Sequence, residues 1–337
     1  MTFKKIKNYH ELSEALGVQT NSLYHYANLN DKSKYHSFTI KKRNGSDRRI
    51  EAPCEGLKHI QRKISDKLYE SYKPRSCNHG AVLGHGIKDN ATGHIGKRII
   101  INIDLKDFFN SIKAQRIYGL FKGTAFEFST PMSMAIRDLT CHKGILPQGS
   151  PSSPILANML AKQLDNHLIQ YAKENNFFYS RYYDDLTFST NDLRSKTAII
   201  TNSRGVGLSI KHTLNTELVN IIRQAGFEVN INKIKFVEGS NSKFVTGVKV
   251  NEKHNVSRNY VRQIRVMLHH WEKLGYEEAN KENQRLHGHT KDLRNQLQGR
   301  LAHLKYIRHT EDRRDYLYEK YKEKLEILKK RDFSIEP

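Results

Sequence analysis

Apolar residues recur at helix and strand periods in alternation along this chain. Leu12, Leu16, Leu23 and Tyr26 return to one helix face within residues 1 to about 35. Phe38-Thr39-Ile40, the basic turn Lys41-Lys42-Arg43-Asn44-Gly45 and Arg48-Arg49-Ile50 then predict a hairpin, because Asn-Gly suits a two-residue turn. Pro53 ends it, and Leu57, Ile60, Ile64 and Leu68 resume a helical stripe. Gly and His accumulate in 77–96, which reads as an irregular region. Arg98-Ile99-Ile100-Ile101-Asn102-Ile103 predicts a buried strand that ends on Asp104. Pro147, Gly149, Pro151 and Pro154 mark a loop, and Leu156, Leu160, Leu164 and Leu168 predict one long helix after it. Phe177-Phe178-Tyr179-Ser180-Arg181 and Leu186-Thr187-Phe188-Ser189 flank Tyr182-Tyr183-Asp184-Asp185, which predicts a tight hairpin with acids at its tip. Ile221-Ile222 on a helix and Val229 and Ile231 on a strand suggest a second αβ unit. Beyond residue 250 the pattern is helical. Val261, Ile264, Leu268 and Trp271 form one stripe, Arg258, Arg262 and Arg265 an adjoining one, and Leu317, Tyr321, Leu325 and Leu328 mark a last helix.

Composition narrows the partners. The chain has 337 residues, enough for two or three subdomains with a real core. Its 57 Lys and Arg against 35 Asp and Glu give a net charge of +22, so a polyanion is the natural partner. A membrane surface is the competing anion, but no long apolar run suggests a span and Met1-Thr2-Phe3-Lys4-Lys5 lacks the apolar core of a signal peptide. Cys54, Cys77 and Cys141 are odd in number and form no CxxC pair, which disfavours disulfides and structural zinc and fits a reducing cytoplasm. The 17 histidines, such as His269-His270, read as polar surface or nucleic-acid contacts rather than metal ligands.

The chemistry concentrates in three acids. Asp104 at a strand end and Asp184-Asp185 at a hairpin tip would offer carboxylates from neighbouring strands. Hard divalent cations take such oxygens, and two ions ~3.5–4 Å apart can clamp the attacking and leaving oxygens of a phosphoryl transfer. An Asp-Asp pair by itself is as well explained by a solvated turn. The neighbouring motifs change that balance.

Asp104-Leu105-Lys106-Asp107-Phe108-Phe109, then Pro147-Gln148-Gly149-Ser150-Pro151, then Tyr182–Asp185, then Gly226-Phe227 through Ile231-Asn232 and Lys235, resembles in order the palm of reverse transcriptases. The basic hairpin before them resembles their fingers. Asn90-Ala91-Thr92-Gly93-His94 matches the NAxxH signature of retron reverse transcriptases, and Val245-Thr246-Gly247 matches their VTG signature. The resemblance covers nearly the whole chain. It implies an α+β right-hand polymerase without an RNase H domain: N-terminal helices and fingers over 1–97, palm over 98–250, helical thumb over 251–337. It implies RNA-directed DNA synthesis with two Mg²⁺ held by Asp104, Asp184 and Asp185. It also implies a cognate structured non-coding RNA, a branched RNA-linked single-stranded DNA product (msDNA), and an effector protein encoded nearby for anti-phage defence.

The resemblance assigns further roles residue by residue. Arg48, with Arg49 as the adjacent alternative, would bind the dNTP triphosphate, since a guanidinium fork bonds phosphate bidentately; Lys42 or Lys41 would be its partner. Phe109 would block a ribose 2′-OH, whereas Phe108 reads as core. Gln148 would hydrogen-bond template or nucleotide, and Gly149 would let backbone approach a template base. Lys235 would protonate the departing pyrophosphate. Tyr182 and Tyr183 would lie near the primer terminus, and Tyr183 departs from the family's usual small residue there. Asn90 and His94 could hold RNA or buttress the fold. Thr246 could bond a phosphate or form a tight turn. Arg258, Arg262 and Arg265 would meet RNA phosphates, or form a solvated face. Two other readings stay open: another bacterial reverse transcriptase, of group II intron or diversity-generating type, and an RNA-binding scaffold that restrains an effector.

Overall fold

A computed structural model describes residues 3–41, 45, 47–204, 210–287, 292–309 and 315–333. The chain divides into two compact units. The first joins residues 1–86 to 98–239, and the second joins 87–97 to 240–337.

The first unit opens with helices Tyr9–Leu16 and Thr20–Asn28, which bury Leu12, Leu16 and Leu23 as their spacing predicts. Strands β1 (Tyr35–Lys41) and β2 (Asp47–Pro53) form the basic hairpin, in register from Tyr35 opposite Pro53 to Lys41 opposite Asp47. It is a solvated ribbon, and even Phe38 and Ile40 are exposed. Lys42 and Asn44 lie outside the described residues. Helix Glu55–Ser71 then buries Leu57, Ile60, Ile64 and Leu68.

The central sheet has four strands. β3 (Ile99–Asp104) pairs antiparallel with β5 (Asp185–Thr190), which pairs with β4 (Phe178–Tyr182). A separate ribbon joins β6 (Ile200–Arg204) to β7 (Ile210–Leu214). β8 (Lys235–Glu238) closes the other side of β3, giving the order β4-β5-β3-β8. Ile99, Ile100, Ile101, Ile103, Leu186 and Phe188 are fully or almost fully buried. Helices Ala114–Lys122 and Thr130–Thr140 contribute Ile117, Phe121, Ile136 and Leu139 to the same core.

Two local expectations change. The leucine stripe from Leu156 to Leu168 is not one helix but two, Ser153–Leu160 and Lys162–Glu174, joined at Ala161. Val229 and Ile231 do not start a strand. Val229 makes only a bridge to Leu105, Ile231–Lys233 is a 3₁₀ turn, and β8 begins at Lys235. The chain bends there because Asn230 is tied by backbone and side chain to Asp104.

The second unit is mostly helical. Helix Arg258–Leu274 buries Ile264, Met267, Leu268 and Trp271 and is capped by the Ser257 hydroxyl, which accepts from the Tyr260 amide. Trp271 donates its indole N–H to Asp332 at 2.7 Å, tying this helix to Tyr316–Phe333. Helix Leu293–Arg308 adds Leu297, Leu301 and Leu304. A short hairpin, β9 (Phe244–Val245) and β10 (Val248–Lys249), packs with helix Ile87–Thr92, which formed unrecognised within the irregular region. Among the described residues no helix is long and apolar enough to cross a membrane.

Candidate active site

Strand register brings the three acids together. Asp104 lies directly opposite Asp185, and the Leu105 amide donates to the Asp184 carbonyl at 2.9 Å. Tyr182 pairs with Asp185, so Tyr183 and Asp184 form the two-residue turn of the β4–β5 hairpin. Such turns need positive φ and favour Gly, Asn or Asp. Tyr183 takes φ 56° without being any of these.

Beside the acids is a cleft of about 160 Å³ lined by Arg48, Asp104, Phe109, Gln148, Asp184 and Lys233, among others. Arg48 therefore faces the cleft, while Arg49 is engaged with Glu51 at 2.9 Å. Phe108 is buried and stacks on Phe227 at 5.3 Å, as expected of a core residue. Phe109 is only half-buried, lines the cleft, and lies 6.3 Å from the Tyr183 ring. Tyr182 packs edge-on against Tyr183 at 5.2 Å.

Gly149 has a close backbone neighbour within its own chain. At φ 131°, a Cβ there would stand 2.6 Å from the Glu51 carbonyl oxygen, so the close backbone neighbour is β2 of the same chain. The Glu51 amide also donates to the Gln148 carbonyl at 3.0 Å, which fixes this loop against the hairpin.

The two lysines of this segment are placed differently. Lys235 is exposed at the start of β8 opposite Asn102, away from the cleft lining, although its charge is felt at Asp185. Lys233 lines the cleft and donates to Asp104 Oδ2 at 2.8 Å, while Asn230 Nδ2 donates to Oδ1 at 3.1 Å. Reading the segment as a strand hid this. Asn230 and Lys233, three residues apart, meet one carboxylate only because the chain turns between them.

The electrostatics are those of crowded acids. Burial raises the Asp184 pKa, and Asp104 adds repulsion that Lys233 and Arg48 oppose. Burial and the charges of Asp184 and Asp104 push Asp185 up to about 6. The hydrogen bond to Asp104 holds Lys233 above the usual lysine range. Among the described residues no three acidic, His or Cys side chains already stand as a cation cage. The donor chemistry nonetheless fits a hard divalent cation. It is all oxygen, carried on adjacent strands, and strained by a repulsion that bound positive charge relieves.

The remaining candidates belong to the second unit. Asn90 and His94 are 1% and 0% exposed, a position suited to buttressing. Thr246 and Gly247 form the turn between β9 and β10, with Thr246 at φ 46°. The Thr246 hydroxyl donates to the Ile87 carbonyl at 3.2 Å and accepts from Asn90 Nδ2 at 3.4 Å. The NAxxH and VTG segments are thus direct neighbours, which neither revealed alone. Arg258, Arg262 and Arg265 are all exposed on their helix.

Comparison with known proteins agrees with this geometry. Residues 40–267 match the family model of reverse transcriptase, RNA-dependent DNA polymerase. The chain is 30% identical to the retron Mx65 reverse transcriptase of Myxococcus xanthus, over 88% of this chain and 67% of that one. It is 32% identical to the retron Mx162 reverse transcriptase of the same organism, over 78% and 58%. It is also 32% identical to the retron Ec86 reverse transcriptase of Escherichia coli, over 79% and 78%. The chain belongs to the reverse transcriptases, the RNA-directed DNA polymerases, and among them to those of retrons.

Proposed function

We propose that this protein reverse transcribes a cognate structured non-coding RNA into RNA-linked single-stranded DNA, in the cytoplasm, within an anti-phage system that includes an effector protein. The carrying observation is that Asp104 and Asp184 line a cleft that also holds Arg48, Gln148, Phe109 and Lys233, with Asp185 paired directly opposite Asp104. In this reading residues 1–97 supply N-terminal helices and fingers, 98–250 the palm and 251–337 the thumb.

Members of this family generally use divalent metal ions. Asp104, Asp184 and Asp185 would hold two Mg²⁺, which when bound activate the attacking hydroxyl and stabilise the leaving pyrophosphate. Arg48 grips the triphosphate of a dNTP through its guanidinium fork. Phe109 bars a ribose 2′-OH, Gln148 orients nucleotide or template, and Tyr182 and Tyr183 support the primer end. Lys233, protonated beside Asp104, is placed to give its proton to pyrophosphate. Arg258, Arg262 and Arg265 face RNA phosphates, which recognise shape rather than sequence. Asn90, His94 and Thr246 brace the unit that carries those arginines.

The test replaces Asp184 and Asp185 by Asn together, or Asp104 by Asn alone, and measures dNTP incorporation beside binding of the co-purifying RNA. Incorporation is abolished and RNA binding is retained. Substantial divalent-dependent synthesis by the double variant refutes the assignment, and a wild-type protein that binds the RNA but incorporates no dNTP points to a scaffold.

A further inference from the structure

The tip of the catalytic hairpin sits in a backbone conformation that its own residue disfavours. Tyr183 has φ 56°, a region that non-glycine side chains occupy only when their surroundings enforce it. The two-residue turn calls for that φ, and a buried cation holds the turn's carbonyl. Arg181 is 0% exposed, and its Nε and Nη2 each donate to one Asp165 oxygen at 2.7 Å. Its remaining nitrogen, Nη1, donates to the Tyr183 carbonyl and to Asn158 Oδ1, each at 3.1 Å.

The clamp is braced from both sides. Asn158 Nδ2 donates to the Gly80 carbonyl at 2.7 Å. Gly80 lies so close under the turn that a Cβ there would be 2.5 Å from the Tyr183 nitrogen. The backbone beside it pairs with β4, as Arg181 N donates to Cys77 O at 2.7 Å and His79 N donates to Arg181 O at 3.0 Å. Tyr179 adds a hydroxyl bond to Asp165 at 3.2 Å. Asn158 and Asp165 come from the two helices that follow the Pro147–Pro151 loop, so one guanidinium joins that loop's helices to the acid-bearing tip.

Stability alone explains this poorly. Desolvating an ion pair offsets much of its attraction, and an apolar pair of similar volume often stabilises a core as well or better. A planar fork instead fixes direction, because its donors point along set vectors. We propose that Arg181, oriented by Asp165 and Asn158, is a positioning residue that fixes the Tyr183 carbonyl and so sets the direction in which Asp184 leaves the turn. This rests on Asp184 acting as a catalytic carboxylate, a reading that Asp184→Asn, with Arg181 and Asp165 intact, tests independently.

Two variants separate positioning from folding. Arg181→Lys keeps the charge, but a single ammonium cannot span Asp165, Asn158 and the Tyr183 carbonyl. Asp165→Leu with Arg181→Met removes the clamp without stranding a buried charge, so the protein stays folded, with a melting temperature lowered by the partners lost at Tyr179 and Asn158. Both lower kcat by about 10- to 100-fold, as a displaced reacting group does, and leave the dNTP KM nearly unchanged. Both raise the divalent-ion concentration needed for half-maximal rate. Independently of activity, amide exchange of residues 182–185 quickens while that of β3 does not. A stable double variant with wild-type kcat and wild-type exchange at the tip overturns the proposal. So does a rate loss that only follows the folded fraction, with exchange quickened across the whole sheet. If the double variant does not fold, Arg181→Lys decides by the same criteria.

Discussion

Lys233→Met is the most discriminating substitution in the cleft, because it sets the lysine found at Asp104 against the one the sequence favoured. The Lys233 side chain is 56% exposed and that of Asp104 12% exposed, with 2.8 Å between Nζ and Oδ2. A pair at such a margin lies between the solvated and buried limits, so its loss costs about 1 kcal/mol rather than the larger sum of a dry site. Losing it also leaves Asp104, Asp184 and Asp185 with less positive charge nearby. If Asp104 holds a divalent cation as proposed, Lys233 competes with that cation for Asp104 Oδ2. Removing about 1 kcal/mol of that competition should tighten Mg²⁺ binding roughly five-fold. The melting temperature of Lys233→Met is therefore lower than wild type without Mg²⁺, and it rises more steeply as Mg²⁺ is added. Single-turnover dNTP incorporation moves the other way. If Lys233 is the proton donor proposed above, its loss slows the chemical step by about 10²-fold, the lower end for general acid catalysis. Lys235→Met, outside the cleft lining, changes both readouts far less. If Lys235→Met is the slower enzyme, or if Lys233→Met keeps the wild-type rate and Mg²⁺ response, the reassignment is wrong.

Trimming Phe109 to Val should change dNTP over rNTP preference by about 1–3 kcal/mol, the scale of pocket-shape effects; an unchanged ratio in an active variant makes Phe109 a core residue. Asp185→Asn should abolish synthesis yet stabilise the metal-free protein. The folded pKa of about 6 exceeds the unfolded value near 3.9, so the folded state binds more protons and wild-type stability falls as pH rises from about 4 to about 6. The Asp185 residue keeps solvent contact although its carboxyl is crowded by protein, so solvent screening reduces the cost at neutral pH to about 1 kcal/mol; urea melts in EDTA at low and neutral pH measure it, and a gain that persists below pH ~4 contradicts the cause. Arg262→Ala with Arg265→Ala should weaken binding of cognate and unrelated structured RNA alike and flatten the salt dependence by roughly 0.7–0.9 for each phosphate no longer neutralised; unchanged slopes mean that the stripe faces water.

What the sequence disclosed depended on whether the signal was periodic or positional. The strand ending at Asp104 and the helix carrying Trp271 were legible because burial imposes a period, and burial is what Ile99–Ile103, Ile264 and Leu268 undergo. The acid pair at the hairpin tip was legible because two β-rich runs enclose it. Lys233 was not. Its bond to Asp104 depends on a 3₁₀ turn in a segment where Val229 and Ile231 mimic strand alternation, while Ile231 is in fact 69% exposed. Arg181 was hidden for the opposite reason. An arginine in a strand flanking a catalytic turn reads as a solvated charge, since isolated charges are rarely buried. Only the fold supplies Asp165 and Asn158, 16 and 23 residues away, to make that burial tolerable. The same limit applies to Asn90 and Thr246, whose hydrogen bond spans 156 residues. Short motifs carried the family, but the partners of Lys233, Arg181 and Asn90 exist only after the chain has folded. These polar residues, joined across long separations, are where substitution should separate catalysis from stability most cleanly.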